Sequence, residues 1–299
     1  MNDLSAVACP ICEQQPVQAL FVKRVEGRAY PLVRCPGCRL VFVATPPTEQ
    51  ELVQHHDQLW VRAQHQDLVQ EEAIEQQFSE QRFRRRLDEL ARFVSPGRLL
   101  DVGCRDGLFL ALARERGWHP SGVEEVRAAA EQAKQRSVEV FVGTLAEAHF
   151  PDASFDVVTL WHLIEHVTQP LLLLQEIHRL LKPTGLLAIE TPNIESRAFH
   201  RHGPDWEYLV PPRHLCYFGP QSLKIALEHI GFTAVFLRCE GGTGVGRQLA
   251  QAGLGGGRLW LRKHYRSLQP LKALYLILFG WQAPIDDIVI MYARATPHS

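Results

Sequence analysis

The segment RLLDVGCRDGLFLALARERG, residues 98–117, decides the fold of this 299-residue chain. Its first five residues, RLLDV, have the pattern of a buried strand, and LFLALARER has the pattern of a helix. A strand that turns through glycine into a helix is typical of an open α/β sheet, in which ligands bind at the carboxyl ends of the strands. We therefore expect a ligand site in the turn between this strand and this helix.

The turn itself indicates which ligand it can hold. A dinucleotide-binding loop would have three glycines, where this chain has Gly103, Arg105 and Leu108. The turn instead has the pattern DxGxxxG, with Asp101 among the last residues of the strand, two before Gly103, and with Gly107 closing the turn. A carboxylate there repels a pyrophosphate and favours a ligand with a cationic group. We expect Arg105 to be tolerated if its backbone avoids positive φ, and its side chain to pair with the next aspartate in solvent, with a carboxylate of the ligand as the alternative partner.

Strand and helix patterns alternate through the rest of the chain. After the first strand and helix come PSGVEE, RAAAEQAKQR, VEVFVG, FDVVTLW, PLLLLQEIHRLLK, LLAIETPN, SLKIALEHI, TAVFLRCE and DIVIMYAR. This alternation predicts a mostly parallel sheet with helices on both faces. We expect this domain to span residues 79–299, with an insertion at about 243–282.

Four segments in this domain resemble motifs of the class I S-adenosylmethionine-dependent methyltransferases. LLDVGCRDG resembles their first motif, GVEE their second, FPDASFDVVTLWHLIEHV the segment through their fourth strand, and LLKPTGLLAIETPN their fifth. The resemblance covers roughly residues 80–299. It implies a Rossmann-like α/β fold with a seven-stranded, mostly parallel sheet, and S-adenosyl-L-methionine as the cofactor.

The cofactor-binding residues follow from the turn and from this resemblance. The two glycines let the backbone approach the cofactor, Asp101 lies near its amino end, and Glu124 can accept both ribose hydroxyls. Thr144 stands near the adenine where the family often has an aspartate, which weakens that contact. For Trp161, core packing is the alternative. The predicted cofactor-binding residues are Asp101, Gly103, Cys104, Gly107, Glu124, Thr144, Leu145, Trp161 and His162.

Methyl transfer to a hydroxyl also requires a group that removes the proton. HLIEH places His162, Glu165 and His166 on one face if the segment is helical. Quinone-type O-methyltransferases carry a similar ExxEH motif that can hold a divalent ion, but here His162 replaces the first acid. His214, in the loop PPRHLCYF, is a second candidate base. We predict Glu165, His166 and His214 as catalytic, with structural roles as the alternative for each.

The N-terminal segment, residues 1–45, contains CPIC and CPGC on either side of two predicted short strands. Four thiolates from two tight turns give the tetrahedral shell that structural zinc prefers, and metal binding would supply ~10 kcal/mol or more of folding energy. A redox CxxC would need a neighbouring βαβ pattern, which is absent here. With PPRHLCYF, this leader resembles a zinc-ribbon-bearing bacterial subgroup associated with sugar or small-molecule methylation. The predicted zinc ligands are Cys9, Cys12, Cys35 and Cys38.

Two further segments have less specific patterns. Residues 46–78 have the composition of linker helices or a lid. A helix is predicted after them, and its arginines 82, 84, 85 and 86 are expected mostly on its solvated face, with an RNA-binding patch as the alternative. The insertion combines basic residues with an apolar helix. It can cap a substrate, form a dimer contact, contact a membrane surface through residues 256–282, or pack against the domain.

Composition bounds the function. The 32 basic and 33 acidic residues give a net charge of -1, which argues against nucleic-acid binding through many phosphate contacts. The N-terminus lacks a signal peptide pattern and the longest apolar run is well short of the ~20 residues of a spanning helix, so we expect a cytoplasmic protein. We expect methyl transfer to a small-molecule or saccharide oxygen. An RNA methyltransferase and a non-catalytic S-adenosylmethionine-binding protein are the alternatives, and the oligomeric state stays open.

Overall fold

The computed structural model describes residues 6–48, 50–52, 54, 55, 69–240 and 286–296, and of residues 69–78 it describes the backbone only. The predicted insertion at 243–282, with its stretch 256–282, lies outside the described residues, as do residues 56–68 of the predicted linker. No helix in the described ranges has the length and apolar character needed to cross a membrane.

The N-terminal unit is a small antiparallel sheet. Strands β1 (Gln18–Val25) and β2 (Arg28–Arg34) form the hairpin that the sequence predicts. Its two-residue turn, Glu26–Gly27, has positive φ at both positions (48° and 83°), as hairpin turns of this length require. Strand β3 (Val41–Val43) pairs with β2 and was not expected from the sequence.

The main domain begins with helix α1 (Val69–Leu90), which runs across the predicted boundary between residues 78 and 79. The predicted bounds 1–45, 46–78 and 79–299 stay predictions. The remaining elements are, in order, β4 (Arg98–Val102), α2 (Leu108–Glu115), β5 (His119–Glu124), α3 (Arg127–Gln135), β6 (Glu139–Val142), β7 (Phe155–Trp161), α4 (Pro170–Leu180), β8 (Leu181–Pro192), α5 (Arg197–His202), β9 (Cys216–Tyr217), α6 (Pro220–Ile230), β10 (Phe232–Glu240) and β11 (Ile288–Ala295).

The main sheet has seven strands in the order β10-β11-β8-β7-β4-β5-β6. The pairs among β4, β5, β6, β7 and β8 are parallel, and β11 is antiparallel to both of its neighbours. The predicted Rossmann-like, mostly parallel α/β fold is therefore confirmed. The strand order reverses beside β4, so the carboxyl ends of β4, β5 and β7 meet at the crevice where ligands bind in such folds.

The core fills both faces of this sheet. In β7, Val157, Val158 and Leu160 are fully buried, and α4 covers one face with Leu174 and Ile177, which are also fully buried. Burying each such side chain contributes roughly 1.5–3 kcal/mol. This is why β7 reads as a nearly continuous apolar run, as expected of a parallel strand that is covered on both sides.

Strand β9 joins the N-terminal unit to the main domain. It comes from the loop between α5 and α6 and pairs with β3, with Phe42 opposite Cys216 and Val41 opposite Tyr217. The second sheet therefore has the order β1-β2-β3-β9. Cys9 and Cys38 belong to the same hydrophobic cluster as residues of the main sheet. The cysteine-containing unit is packed onto the domain and shares its core.

The arginines of α1 do not all lie on a solvated face, and that expectation was wrong for Arg86. Its side chain is fully buried, and its Nε lies 2.6 Å from Oε2 of Glu190. Helical geometry explains this, because Arg86 follows Phe83 by three positions and precedes Leu90 by four, which puts all three on one face. Burial opposes the charge, but the charges of Glu190 and Glu240 outweigh it and raise the pKa of Arg86.

Candidate active site

The turn after β4 is left-handed at three positions. Gly103, Arg105 and Gly107 have φ of 74°, 50° and 72°. A Cβ at Gly103 would lie 2.9 Å from Cδ1 of Leu163, and one at Gly107 would lie 2.8 Å from Cβ of Ala133. The protein's own packing therefore requires both glycines, in addition to any close approach by a cofactor.

The expectation for the backbone of Arg105 was wrong, because it adopts positive φ. The carboxylate of the next residue, Asp106, pairs with Arg136, whose Nη2 lies 2.8 Å from Oδ2. The left-handed conformation directs the backbone N–H of Arg105 to Oε2 of Glu124, at 2.8 Å. This conformation costs a non-glycine residue on the order of 1–2 kcal/mol, and it provides one of the backbone N–H donors that surround the Glu124 carboxylate.

Glu124 ends β5 and faces this turn. Its Oε2 accepts the N–H of Arg105, and its Oε1 accepts the N–H of Val126, also at 2.8 Å. The side chain is buried, and burial raises the pKa of Glu124 against the effect of these two donors. Each carboxylate oxygen has a second lone pair, so the group can still accept hydrogen bonds from two ligand hydroxyls.

Asp101 lies one strand away and is also buried. Its Oδ1 accepts a hydrogen bond of 2.6 Å from the hydroxyl of Thr159 on β7. Burial raises the pKa of Asp101 to about 8, and the negative charge of Glu124 adds to this, while the hydrogen bond from Thr159 opposes it. A cationic ligand group beside these two acids would favour their charged forms and lower the pKa of both.

The other predicted cofactor-binding residues differ in burial and in their contacts. The thiol of Cys104 is buried beneath the turn, where a Cβ at Gly122 would lie only 2.5 Å from its sulfur. Thr144 is exposed, and its hydroxyl donates a 2.9 Å hydrogen bond to Glu147. Leu145 and Trp161 are buried apolar surface, and Trp161 packs edge-to-face on the ring of Phe109 at 5.3 Å.

His162 follows β7 and lies between two carboxylates. Its Nδ1 is 3.1 Å from Oε1 of Glu165, and its Nε2 is 3.1 Å from Oε1 of Glu190. Burial lowers the pKa of His162, but the two carboxylates outweigh burial and raise it to about 9. The imidazole is therefore a cation at neutral pH, with both nitrogens donating. It can act neither as a general base nor as a metal ligand in this arrangement.

Glu165, which contacts His162, also has a second protein partner. Its Oε2 accepts a 2.9 Å hydrogen bond from Thr191, and its side chain is 1% exposed. Burial raises the pKa of Glu165, but the imidazolium of His162 outweighs burial and lowers it. Glu165 is thus held as a buried carboxylate whose partners are protein groups, and its predicted catalytic role stays a prediction.

The two remaining predicted bases come together in space. The rings of His166 and His214 pack edge-to-face with centroids 4.8 Å apart. Nδ1 of His166 lies 2.7 Å from the carbonyl oxygen of Arg213, and Nδ1 of His214 lies 2.7 Å from that of Tyr208. A carbonyl oxygen only accepts, so each Nδ1 carries the hydrogen and donates this hydrogen bond. His214 is buried, whereas His166 is partly exposed.

The four predicted zinc ligands also meet. Their sulfur atoms all lie within 4.8 Å of one another, and the Sγ atoms of Cys9 and Cys38, and of Cys12 and Cys35, are 3.4 Å apart. These separations are far longer than a disulfide bond, and all seven cysteines of the chain are free. Hydrogen bonding from Cys38 lowers the pKa of Cys9 to about 5. Four thiols in this arrangement suit a tetrahedral zinc ion.

Sequence reasoning missed several polar residues of the site. Glu190, Thr159 and Thr191 are buried on the central strands and make the hydrogen bonds that hold the predicted residues. The signal for Glu190 was available, because an acid inside the apolar run LLAIETP needs a buried partner. Its partners, Arg86 and His162, come from distant parts of the chain and have no local pattern that would identify them.

Comparisons with known proteins found a matching family model and similar sequences. The family model described as "Methyltransferase domain" matches residues 75–236. A probable S-adenosylmethionine-dependent methyltransferase of Mycolicibacterium smegmatis is 30% identical over 136 residues, covering 45% of this chain and 51% of that protein. A ubiquinone biosynthesis O-methyltransferase of Maricaulis maris is 31% identical over 149 residues, covering 46% and 59%. This chain thus spans just over half the length of these curated relatives.

Solved structures share the fold. The 1,6-didemethyltoxoflavin-N1-methyltransferase of Burkholderia thailandensis matches with a TM-score of 0.52 and 18% identity, over 93% of this chain and 99% of that one. A SAM-dependent methyltransferase of Archaeoglobus fulgidus matches with a TM-score of 0.51 and 20% identity, over 73% and 94%. At these identities the likeness shows the architecture alone.

Proposed function

Because this chain belongs to the methyltransferase domain family, we propose that it transfers a methyl group from S-adenosylmethionine to an oxygen atom of a small-molecule or saccharide acceptor. The observation that carries this proposal is the arrangement of two buried acids around a left-handed turn at the carboxyl edge of β4, β5 and β7. When bound, S-adenosylmethionine supplies a methyl group on a sulfonium, which is already activated for displacement.

The cofactor half of the site consists of Asp101, Gly103, Gly107 and Glu124. The carboxylate of Glu124, fixed by two backbone donors, accepts the ribose hydroxyls. We assign Asp101 to the ammonium group, whose charge would lower the raised pKa of Asp101 and favour its carboxylate form. Thr144 and Leu145 lie where the adenine is expected, and Leu145 supplies buried apolar surface there.

The acceptor half contains His166 and His214. We assign the general base to His166, because it is the more exposed of the two and its Nδ1–H is fixed on a carbonyl oxygen. Its Nε2 would remove the proton of the acceptor hydroxyl, and S-adenosylmethionine would supply the methyl group that replaces it. A histidine base supports an oxygen acceptor, since a neutral amine has a lone pair without losing a proton.

Several observations favour a small acceptor over RNA. The arginines of α1 that an RNA-binding patch would use are paired with acids, as Arg84 is with Glu80 at 2.8 Å and with Glu115 at 3.2 Å. The net charge of -1 also supplies no general attraction for phosphates. The Maricaulis relative is named as an O-methyltransferase of ubiquinone biosynthesis, which agrees with a small acceptor and an oxygen atom.

We also propose that Cys9, Cys12, Cys35 and Cys38 hold one structural zinc ion. The four sulfur atoms converge without forming disulfides, and a metal would replace the shared protons of the two thiol pairs. Seven free cysteines suit a reducing compartment, which supports the cytoplasm as the place of action.

The test of the proposed base is a labelled-transfer assay with zinc-loaded protein, methyl-labelled S-adenosylmethionine and a small-molecule extract of the native cells. We expect His166→Asn to lower the transfer rate by about 100-fold or more, the usual contribution of a general base, with unchanged cofactor affinity. His202→Asn, at an exposed histidine of α5, is the matched control and should transfer at the wild-type rate. Wild-type transfer by His166→Asn would remove His166 from the mechanism.

A further inference from the structure

The loop that carries His214 is held by the cysteine-containing unit. His214 and Leu215 come directly before strand β9, and β9 pairs with β3 of that unit. The backbone N–H of Val43 donates a 2.9 Å hydrogen bond to the carbonyl oxygen of Leu215, immediately after the histidine. The position of His214 therefore depends on where β3 lies.

The other side of β9 rests on the segment that carries His166. The backbone N–H groups of Leu215 and Cys216 both donate to the carbonyl oxygen of Glu165, at 2.8 and 3.2 Å. The carbonyl oxygen of Arg213, at the start of this loop, accepts the hydrogen bond from His166. The loop is thus clamped between β3 on one side and the residues around Glu165 on the other.

The cysteine cluster fixes β3. Cys35 directly follows β2, and two residues separate Cys38 from the start of β3, so the turn that joins the two strands carries half of the cluster. Strand β3 has only three residues, and the sheet that contains it has an exposed outer strand, in which Val22 is 55% exposed. A unit this small holds its shape through its metal ligands to a large extent.

The cofactor half is held by different bonds. The turn after β4 is fixed by the carbonyl oxygen of Val123, which accepts from the N–H groups of Gly103 and Cys104 at 2.8 and 3.1 Å. Glu124 completes it through the N–H of Arg105. These contacts lie within the parallel sheet and its first turn, and none of these bonds involves β3 or β9.

We infer that the metal held by the four cysteines positions the acceptor half of the site, through β3 and β9, and leaves the cofactor half to fold without it. The terms cofactor half and acceptor half rest on the proposed function, whereas the dependence of β9 on the metal, through β3, does not. The N-terminal unit is then a clamp on the histidine pair His166 and His214, and its metal content sets whether the pair is assembled.

Two buried cysteines report on the two halves separately. Cys216 lies on β9 and is 2% exposed, and Cys104 lies under the cofactor turn and is 5% exposed. The experiment compares their alkylation by N-ethylmaleimide in the zinc-loaded full chain and after removal of the metal with a chelator, by mass spectrometry of the cysteine-containing peptides. We expect the rate for Cys216 to rise at least ten-fold after metal removal and the rate for Cys104 to change less than two-fold.

Two outcomes overturn the inference. If Cys216 stays as protected as Cys104, β9 does not depend on the metal. If both rates rise together, the metal stabilises the whole domain and selects neither half. The affinity for S-adenosylhomocysteine, measured by calorimetry on the same samples, should change less than three-fold, because the cofactor half stays folded.

A variant repeats the test without a chelator. Cys35→Ser removes one ligand and should expose Cys216 as metal removal does, whereas Cys239→Ser, at a half-buried cysteine outside the cluster, should leave it protected. Exposure of Cys216 in neither variant would contradict the inference. Failure of the proposed function is distinguishable, because absence of methyl transfer with every acceptor would leave the Cys216 result unchanged.

Discussion

The backbone N–H of Arg105 donates a 2.8 Å hydrogen bond to Oε2 of Glu124, and this bond ties the turn after β4 to the end of β5. The bond exists because Arg105 adopts a left-handed conformation, at φ of 50°. An arginine in this turn is therefore compatible with a working site, since its backbone N–H holds Glu124 while its side chain is exposed.

The first prediction concerns Glu124. Glu124→Gln should weaken the binding of S-adenosylhomocysteine by about 10-fold to 100-fold, because hydrogen bonds to a charged acceptor contribute roughly 1.5–3 kcal/mol and the amide disrupts the cradle of backbone donors. Isothermal titration calorimetry measures the affinity. Glu139→Gln, at an exposed acid at the start of β6, should bind as the wild type does. Equal affinities for all three proteins would show that the ribose lies elsewhere.

The second prediction isolates the backbone strain at Arg105. Arg105→Gly should raise the free energy of unfolding by about 1 kcal/mol relative to Arg105→Ala, because both lack the side chain and only glycine adopts the left-handed conformation without strain. Urea denaturation of the cofactor-free protein gives the difference. If the alanine variant is at least as stable as the glycine variant, the turn does not hold this conformation in solution.

The third prediction follows from the buried acid Asp101. Its folded-state pKa of about 8 lies above the value of about 3.9 in an unfolded chain, so the folded protein holds a proton that the unfolded chain releases. The contribution of Asp101 to stability is therefore complete below about pH 4 and is lost as the pH rises through 8. Asp101→Asn should remove this loss, so that its stability advantage over the wild type grows between pH 5 and pH 8 and is then constant.

Thermal unfolding of the cofactor-free proteins at pH 5, 6.5, 8 and 9 checks this. Asp205→Asn is the matched control, because the side chain of Asp205 is 93% exposed, and it should track the wild type at every pH. A constant difference between Asp101→Asn and the wild type across the range would contradict the raised pKa.

The fourth prediction concerns the imidazolium of His162. His162→Ala should destabilise the protein by about 3–5 kcal/mol at pH 6, because it leaves the buried carboxylates of Glu165 and Glu190 without their shared cation. The folded-state pKa of about 9 exceeds the unfolded value of about 6.5, so the wild-type advantage is complete below pH 6.5 and is lost as the pH rises through 9.

Denaturation of His162→Ala and of His229→Ala, at an exposed histidine of α6, measures this difference. The His229 variant should lose less than about 0.5 kcal/mol, as surface substitutions usually do. A small, pH-independent loss for His162→Ala would mean that this histidine is neutral.

The sequence predicted the parts of this fold that depend on local patterns. The strand, turn and helix at residues 98–117 were predictable because apolar periodicity and glycine placement are local signals. Strand β9 was not, because two residues have no period and pair only once β3 lies beside them. The environment of His162 was predictable only in part, since Glu165 lies three residues away in the sequence whereas Glu190 comes from β8. The histidine pair was predicted as two separate candidates, and only the fold brings them together.

The partition of a labelled methyl group tests the central claim most directly. Zinc-loaded protein is incubated with methyl-labelled S-adenosylmethionine and a native cell extract that has been separated into small-molecule and RNA fractions. The proposed function predicts label in the small-molecule fraction, attached to oxygen in the isolated product and lost when Glu124→Gln replaces the wild type at limiting cofactor. Label that appears only in the RNA fraction, or no label in either fraction, would contradict it.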